Sequence, residues 1–252
     1  MKKIKLISSL STLSVLVAAT PIITTSCSNN GDKNIEIELK NNHANVGHVN
    51  PINATLVDKD GHVVAIKTIN SAKSSDDKIF KVDSTDISTY GSADILVTGI
   101  KEGKATLSLN FTDYDGNNVS GDFEIQSYET IELLDPRAVP NTGVTVDDNT
   151  ITYTNEDGSG DGQFTLTANN EIIINDGEEL IWTVYTDGIK DSRISAELDS
   201  DHRTVILTID YAHGTISGAE ITIECTGAKQ VIFGEGFTLD ALVYSKMVYD
   251  GI

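Results

Sequence analysis

The stretch that decides the fold is ILVTGIKEGKATLSL, residues 95–109. In its second half, apolar residues alternate with threonine and serine, the two-residue period of a β-strand with one buried face. At its centre Gly99 and Gly103 flank Ile100, Lys101 and Glu102, and glycine adopts the positive φ of a tight turn at little cost. The stretch therefore predicts two strands on either side of a tight turn, with an apolar face that a second sheet must cover.

The stretch follows SSDDKIFKVDS, residues 74–84, and together they resemble the bacterial Ig-like domain of group 2. That family has a Ser-Ser-Asp triplet, an apolar strand ending in Val-Asp, and a final Val-Thr-Gly segment followed by Gly-x-Ala-Thr. The matching residues of the final segment are Thr98, Gly99, Gly103, Ala105 and Thr106. The family's tryptophan ahead of the triplet is missing, and Thr68-Ile69-Asn70 occupies its place. The resemblance implies an antiparallel β-sandwich.

The same strand-and-turn pattern continues beyond this region, and no convincing amphipathic helix is found between Lys33 and Gly227. We therefore predict an all-β chain of two Ig-like antiparallel β-sandwich domains in tandem, at residues 34–127 and 128–226. Residues 227–252 are predicted to be a C-terminal β extension or an incomplete element, with a strand favoured over a helix.

Two segments of the second domain have specific predictions. EIIIND, residues 171–176, has the apolar content of a strand. ELIWTVYTD, residues 179–187, places Trp182 in the middle of a strand, where Ig-like domains bury a large aromatic side chain between their sheets.

The N-terminus has a lysine-rich start, MKKIK, followed by an uncharged apolar run from Leu6 to Ile23 and then by Cys27. It resembles a bacterial lipoprotein signal of the relaxed type found in wall-less bacteria. The small Ser26 fits this family, and Thr24 departs from it.

The resemblance implies a signal peptide at residues 1–26, lipid attachment (palmitate) on Cys27, and a short tether at residues 27–33. Two acyl chains give stable anchoring, where one gives only marginal binding. Two alternatives remain: an uncleaved signal anchor, and a cleaved soluble product in which Cys27 carries no lipid.

The chain is acidic, with 18 Lys and Arg residues against 38 Asp and Glu and a net charge of −20. This balance argues against nucleic acid as a partner, because binding to phosphates depends on basic surfaces. The charge is also uneven: residues 34–127 hold 8 basic and 14 acidic residues, and residues 128–226 hold 4 and 20. The acids are interleaved with strand residues, so they belong to a folded chain.

One acidic loop has the spacing of a weak calcium site. NEDGSGDG places Asn155, Asp157, Ser159 and Asp161 at alternate positions, and calcium takes several oxygen ligands from such a loop. The closing glutamate of a calcium loop is absent, since Leu166 stands there. A polar hairpin turn is the alternative interpretation, and no cofactor other than calcium is expected.

We find no sequence motif that indicates an enzyme. The G-x-S-x-G motif that holds a nucleophilic serine is absent. The histidines are predicted to lie in surface loops, and Cys225 is predicted to be a buried thiol in a strand. The predicted function is that of a lipid-anchored protein on the outer face of the cell membrane, a non-catalytic adhesion, binding or spacer module. Its partner would be a host or cell-surface protein or glycan. A calcium- or small-ligand-binding lipoprotein is the alternative.

Overall fold

The computed structural model describes residues 22–23, 35–89, 91–155, 160–210 and 215–243. Regular structure within these ranges is entirely β-strand, which confirms the predicted all-β class. The described part of the chain holds no helix long and apolar enough to cross a membrane. Two separate hydrophobic cores divide the strands into two bodies, which we call the first and the second sandwich.

The first sandwich has two sheets around one core. Its strands are β1 (Ile22–Ile23), β2 (Ile35–Leu39), β3 (His43–Asn45), β4 (Val49–Asp58), β5 (Val63–Val64), β6 (Ile66–Ser74), β7 (Phe80–Thr89), β8 (Ser92–Gly99), β9 (Gly103–Asp113) and β10 (Asn118–Tyr128). One sheet has the order β1-β2-β4-β8-β7, with β5 paired to β4, and the other has the order β3-β10-β9-β6. All pairs are antiparallel except β3 with β10.

The second sandwich is one continuous ladder of strands. They are β11 (Ile131–Ala138), β12 (Val144–Asp147), β13 (Thr150–Asn155), β14 (Gly162–Ala168), β15 (Ile181–Thr186), β16 (Ile189–Lys190), β17 (Ile194–Leu198), β18 (Thr204–Ile209), β19 (Ile216–Thr226) and β20 (Ile232–Val243). The main order is β16-β15-β19-β20-β11-β14-β18-β17, with β13 also paired to β20 and β12 to β13.

Strand β11 divides this ladder into two layers because its two ends pair with different neighbours. Its first two residues pair with β20, and the residues from Leu133 onward pair with β14. The register shifts between Leu134 and Arg137. Asp135, with a φ of 52°, and Pro136, which has no N–H to donate, lie at this bulge. The irregular backbone lets one strand serve both layers.

Every second residue of the principal strands enters a core. Buried and half-buried positions alternate without a break along β8, β14 and β18, as the period-two pattern predicts. The largest fully buried side chains are Tyr153, Phe80, Phe111, Phe123 and Phe164. Removing a side chain of this size from water contributes about 1.5–3 kcal/mol.

The connection around Gly99 and Gly103 crosses from one sheet to the other, since β8 and β9 lie in different sheets. Gly103 has the positive φ that the turn predicts, 149°, but Gly99 is not among the positive-φ residues. Gly99 is needed for a close approach instead. A Cβ on it would lie 2.5 Å from the carbonyl carbon and oxygen of Asn45 and 2.7 Å from Ser127 Oγ.

Residues 171–176 do not form the predicted strand and make only an isolated bridge, between Ile174 and Ala228. The buried side chain of Gln230 takes the place of a ladder. Its Oε1 accepts a hydrogen bond from Ile173 N at 3.0 Å, and its Nε2 donates one to Glu171 O at 2.8 Å. An amide side chain can thus satisfy backbone groups that a neighbouring strand would otherwise satisfy.

The segment after Gly227 supplies an interior strand of the second sandwich. Strand β20 pairs with β19, β13 and β11, and its Ile232, Phe237, Leu239 and Ala241 belong to the second core. The second sandwich therefore includes residues beyond 226, which form a strand as favoured from the sequence.

Candidate functional site

An open groove of about 430 Å³ lies at one edge of the second sandwich. We call it the β15–β17 groove, because the strands β15 and β17 form its two sides. Its lining consists of Ile174, Glu178, Glu179, Leu180, Trp182, Ala196, Glu197, Leu198, Asp199, Ser200 and His202. The apolar residues are half-buried and form the floor. Of the acidic residues, Glu197 lies in β17, and Glu178, Glu179 and Asp199 lie in connections outside the strands.

The sequence predicted that Trp182 is buried between the sheets. In the structure Trp182 lies at the edge of the sandwich and is not fully enclosed. Trp182 lies on the same face of β15 as Val184 and Thr186, which are both buried. Its ring packs against the core of the second sandwich. Trp182 itself is only half-buried, because β17, the strand opposite, is the last strand of its layer. Part of the indole is therefore open to the groove.

Cys225 pairs with Trp182 across β15 and β19. It is a free, half-buried thiol that packs against the core. Burial raises the pKa of Cys225 to about 12, so the thiolate is scarce near neutral pH and the residue is a poor nucleophile.

Four exposed carboxylates surround the groove: Glu178, Glu179, Glu197 and Asp199. Two of them are held by hydrogen bonds. Asn175 Nδ2 donates to Glu178 Oε2 at 3.0 Å, and Ser200 N donates to Asp199 Oδ1 at 2.6 Å. The lining includes no lysine or arginine. The groove therefore combines an apolar floor with a negatively charged rim.

A second depression of about 420 Å³ shares Glu178 and Glu179 with the groove and lies on the other side of β15. Ile181, whose side chain is 65% exposed, lines it together with Thr226 and Gly227. Gly227 has a φ of 90°, and a Cβ there would collide with Glu179 O. A glycine at this position thus allows the Glu178–Glu179 turn to approach the end of β19.

The predicted calcium loop lies mostly outside the described residues. Asp157 and Ser159 fall in the undescribed segment, while Asn155 is the last residue of β13 and Asp161 is exposed just before β14. Among the described residues beside this loop, Tyr153 Oη donates to Gly160 O at 2.6 Å. Calcium binding at this loop stays a prediction.

The structure brings together another group that the sequence analysis did not single out. Potential ligand atoms of Asp58, Asp60 and His62 lie within 4.8 Å of one another in the β4–β5 turn. Asp58 Oδ1 already accepts hydrogen bonds from the N–H groups of Asp60 and His62, both at 2.9 Å. The hydrogen bond from His62 N is the largest cause of the lowered pKa of Asp58. The arrangement explains the hairpin without an ion, and DKDGH at 58–62 is the sequence signal for it.

The two sandwiches are joined by a hydrogen bond near the groove. Asn45, at the end of β3, is 3% exposed, and its Oδ1 accepts from Val231 N at 3.0 Å. The Asn45 backbone is itself held, since its N donates to Asn50 Oδ1 at 2.8 Å. Loss of this hydrogen bond would leave a buried amide oxygen unsatisfied, so it favours the contact between the two bodies.

His43 lies beside this hydrogen bond, with its ring centroid 6.4 Å from that of Tyr128. Burial lowers the pKa of His43, and the charge of Lys229 lowers it further, while Glu178 acts in the opposite direction. The imidazole is thus held in its neutral form, and the groove residue Glu178 lies close enough to affect it.

Acidification is expected to loosen the contact between the sandwiches. The folded pKa of His43 lies below 6.5, so its contribution is complete above that pH and is lost as the pH falls, because the separated state takes up the proton first. Small-angle scattering at about pH 7.5 and about pH 5 should show greater separation in acid. The His43→Gln variant should lack this change, and an equal response in wild type and variant would contradict the role of His43.

With this geometry established, the chain can be compared with known proteins. No protein-family description matches it, and neither does any curated protein. Among solved structures it is similar to domains 5–6 of the S-layer protein SbsC, with 15% identity, a TM-score of 0.31, and coverage of 88% of this chain and 99% of that chain.

Two further solved structures are similar to the chain. The C-terminal fragment of intimin, solved in complex with the intimin-binding domain of its translocated receptor, has 16% identity and a TM-score of 0.36, over 83% of this chain and 64% of that chain. The tandem Ig repeats of Dlar have 13% identity and a TM-score of 0.29, over 83% of this chain and 98% of that one.

Proposed function

We propose that the chain is a lipid-anchored extracellular surface protein whose two sandwiches form a non-catalytic binding or adhesion module, or a spacer. The observation that carries the proposal is the lysine-led, uncharged apolar run that ends just before Cys27, in front of two strand-built bodies. The partner class is a host or cell-surface protein or glycan. The β15–β17 groove, with its partly exposed indole, is the surface through which binding would occur.

Cleavage before Cys27 has a consequence for the first sandwich. It removes Ile22 and Ile23, which pair with Glu38 and Leu39 of β2, and leaves β2 as an edge strand. The edge is protected against pairing with other chains by Glu36 and Glu38, since charged side chains discourage such pairing. The tether at 27–33 would then lead almost directly into the sheet.

The proposal is tested by labelling cells with a palmitate analogue. The wild-type chain should incorporate the label and remain with the membrane, whereas Cys27→Ser should lack the label and appear in the medium. Cys225→Ser is the matched control, because it removes the other cysteine and should leave labelling unchanged. Label retained in Cys27→Ser would contradict attachment at this residue.

The calcium-binding alternative makes a separate prediction. Millimolar calcium should raise the melting temperature if the folded chain binds the ion, because binding stabilises the folded state. The double variant Asp157→Asn with Asp161→Asn should abolish that rise. A melting temperature that is the same with calcium and with a chelator would exclude this alternative.

A further inference from the structure

We infer that the β15–β17 groove binds a lysine or arginine side chain presented by a basic segment of a partner protein. The inference rests on the proposed function and narrows its partner from any surface molecule to a cationic protein segment. Three features support it: the charge of the rim, the nature of the floor, and the way that nearby cations of this chain are occupied.

The rim favours a positively charged occupant. Glu178, Glu179, Glu197 and Asp199 are all exposed and line the groove, Glu197 from β17 and the other three from connections outside the strands. Residues 128–226 as a whole hold 20 acidic and 4 basic residues, so the surrounding potential attracts a cation and repels an anion. An acidic peptide or a phosphate would have to enter against this field. Charge complementarity therefore selects a basic partner.

The floor favours a cation on an aliphatic stem over a bare metal ion. Leu180, Trp182, Ala196 and Leu198 offer no oxygen ligands from their side chains, but they can cover the methylene groups of lysine or arginine. The exposed part of the Trp182 ring can also attract the charged end, since the face of an indole attracts an ammonium or guanidinium group. A long basic side chain satisfies the floor and the rim together.

Cations of this chain that lie near the groove are held elsewhere. Arg203 Nη2 donates to Asn169 O at 3.2 Å and to Ala168 O at 3.4 Å. Lys229 Nζ lies 3.8 Å from Asp176 Oδ2. The rim carboxylates are therefore not neutralised by these two residues and can accept a cation from outside.

Trp182 provides the measurement, because it is the only tryptophan in the chain. The full chain in an uncharged detergent is titrated with capped lysine–glycine, arginine–glycine and glutamate–glycine peptides while Trp182 emission is recorded. The two basic peptides should change the emission in a saturable way, and the glutamate peptide should not. Absence of a saturable change with both basic peptides would overturn the inference.

A matched pair of variants separates the groove from general attraction. Glu178→Gln with Glu179→Gln should raise the dissociation constant about five- to tenfold, the effect of losing two exposed ion pairs. Asp147→Asn with Asp148→Asn removes the same charge in the β12–β13 turn, outside the groove lining, and should change it less than about twofold. Equal weakening by both pairs would indicate diffuse attraction and overturn the inference.

The outcome is independent of the anchoring experiment. A chain that carries palmitate and ignores the basic peptides overturns only the groove assignment. A chain that binds the peptides through Glu178 and Glu179 but carries no lipid supports the groove and overturns only the surface anchoring.

Discussion

Replacing Gly99 with alanine is expected to destabilise the first sandwich by about 3 kcal/mol, the upper part of the range for overpacking. The new Cβ would lie 2.5 Å from the carbonyl group of Asn45. That obstacle is backbone, so it cannot move aside as the end of a flexible side chain could. Relief would require β3 to move away from β8, and with it Asn45, which holds the second sandwich through Val231.

Urea unfolding followed by circular dichroism measures this effect, because the single tryptophan lies in the other sandwich. Gly116→Ala is the control: Gly116 has a φ of 86° with nothing within 4 Å of the added Cβ. It should cost about 1 kcal/mol through backbone strain alone. A Gly99→Ala variant no less stable than Gly116→Ala would contradict the close approach of the two strands.

Replacing Asp191 with alanine is expected to destabilise the second sandwich by about 3 kcal/mol, the lower part of the range for breaking a buried ion pair, because Arg193 is only half-buried. Asp191 is 8% exposed. Arg193 binds both of its oxygens, with Nε 2.8 Å from Oδ1 and Nη2 2.5 Å from Oδ2, and Thr186 Oγ1 donates to Oδ2 at 2.8 Å. The substitution leaves the guanidinium and the hydroxyl without these partners.

The same carboxylate predicts a loss of stability in acid. Hydrogen bonds from the Arg193 side chain hold the pKa of Asp191 at about 2, below its usual 3.8. The stabilisation is therefore complete above about pH 4 and declines as the pH falls towards 2, by about 2 kcal/mol in total. The Asp191→Ala variant should lose less stability than wild type over this interval.

Trp182 fluorescence during urea unfolding reports on this sandwich directly, since Thr186 and Trp182 share β15. Glu197→Ala, an exposed substitution on β17, is the control and should cost less than about 0.5 kcal/mol. Equal stability of the two variants would show that the Asp191–Arg193 pair contributes little.

The alternation of apolar residues was sufficient to predict the strands on either side of Gly99, because each residue's side follows from its position in the strand. It did not reveal that β8 and β9 lie in different sheets, since a connection that crosses between sheets and a hairpin have similar turn residues. The prediction of a strand at residues 171–176 was wrong for another reason. Their apolar content fits a strand, but the side chain of Gln230 satisfies two of their backbone groups, and other backbone groups bond separately to the main chain of His202, Gly227 and Lys229.

The candidate site was only partly visible in the sequence. Trp182 and the acidic turns near 178 and 199 stand out as residue types, but their meeting depends on how β15 and β17 end their respective layers. The contact between the sandwiches was not predictable either. Asn45 and Val231 are far apart in the chain, and nothing in the residues around them distinguishes this amide from one in a loop.

The central claim is that the two sandwiches are held outside the cell by lipid on Cys27. Mass spectrometry of the chain purified from membranes tests it most directly, by identifying the first residue and its modification. The expected result is a mature chain that begins at Cys27 and carries a diacylglyceryl group on its thiol. A mature chain that begins at Met1, or at a residue after Cys27, would contradict the claim.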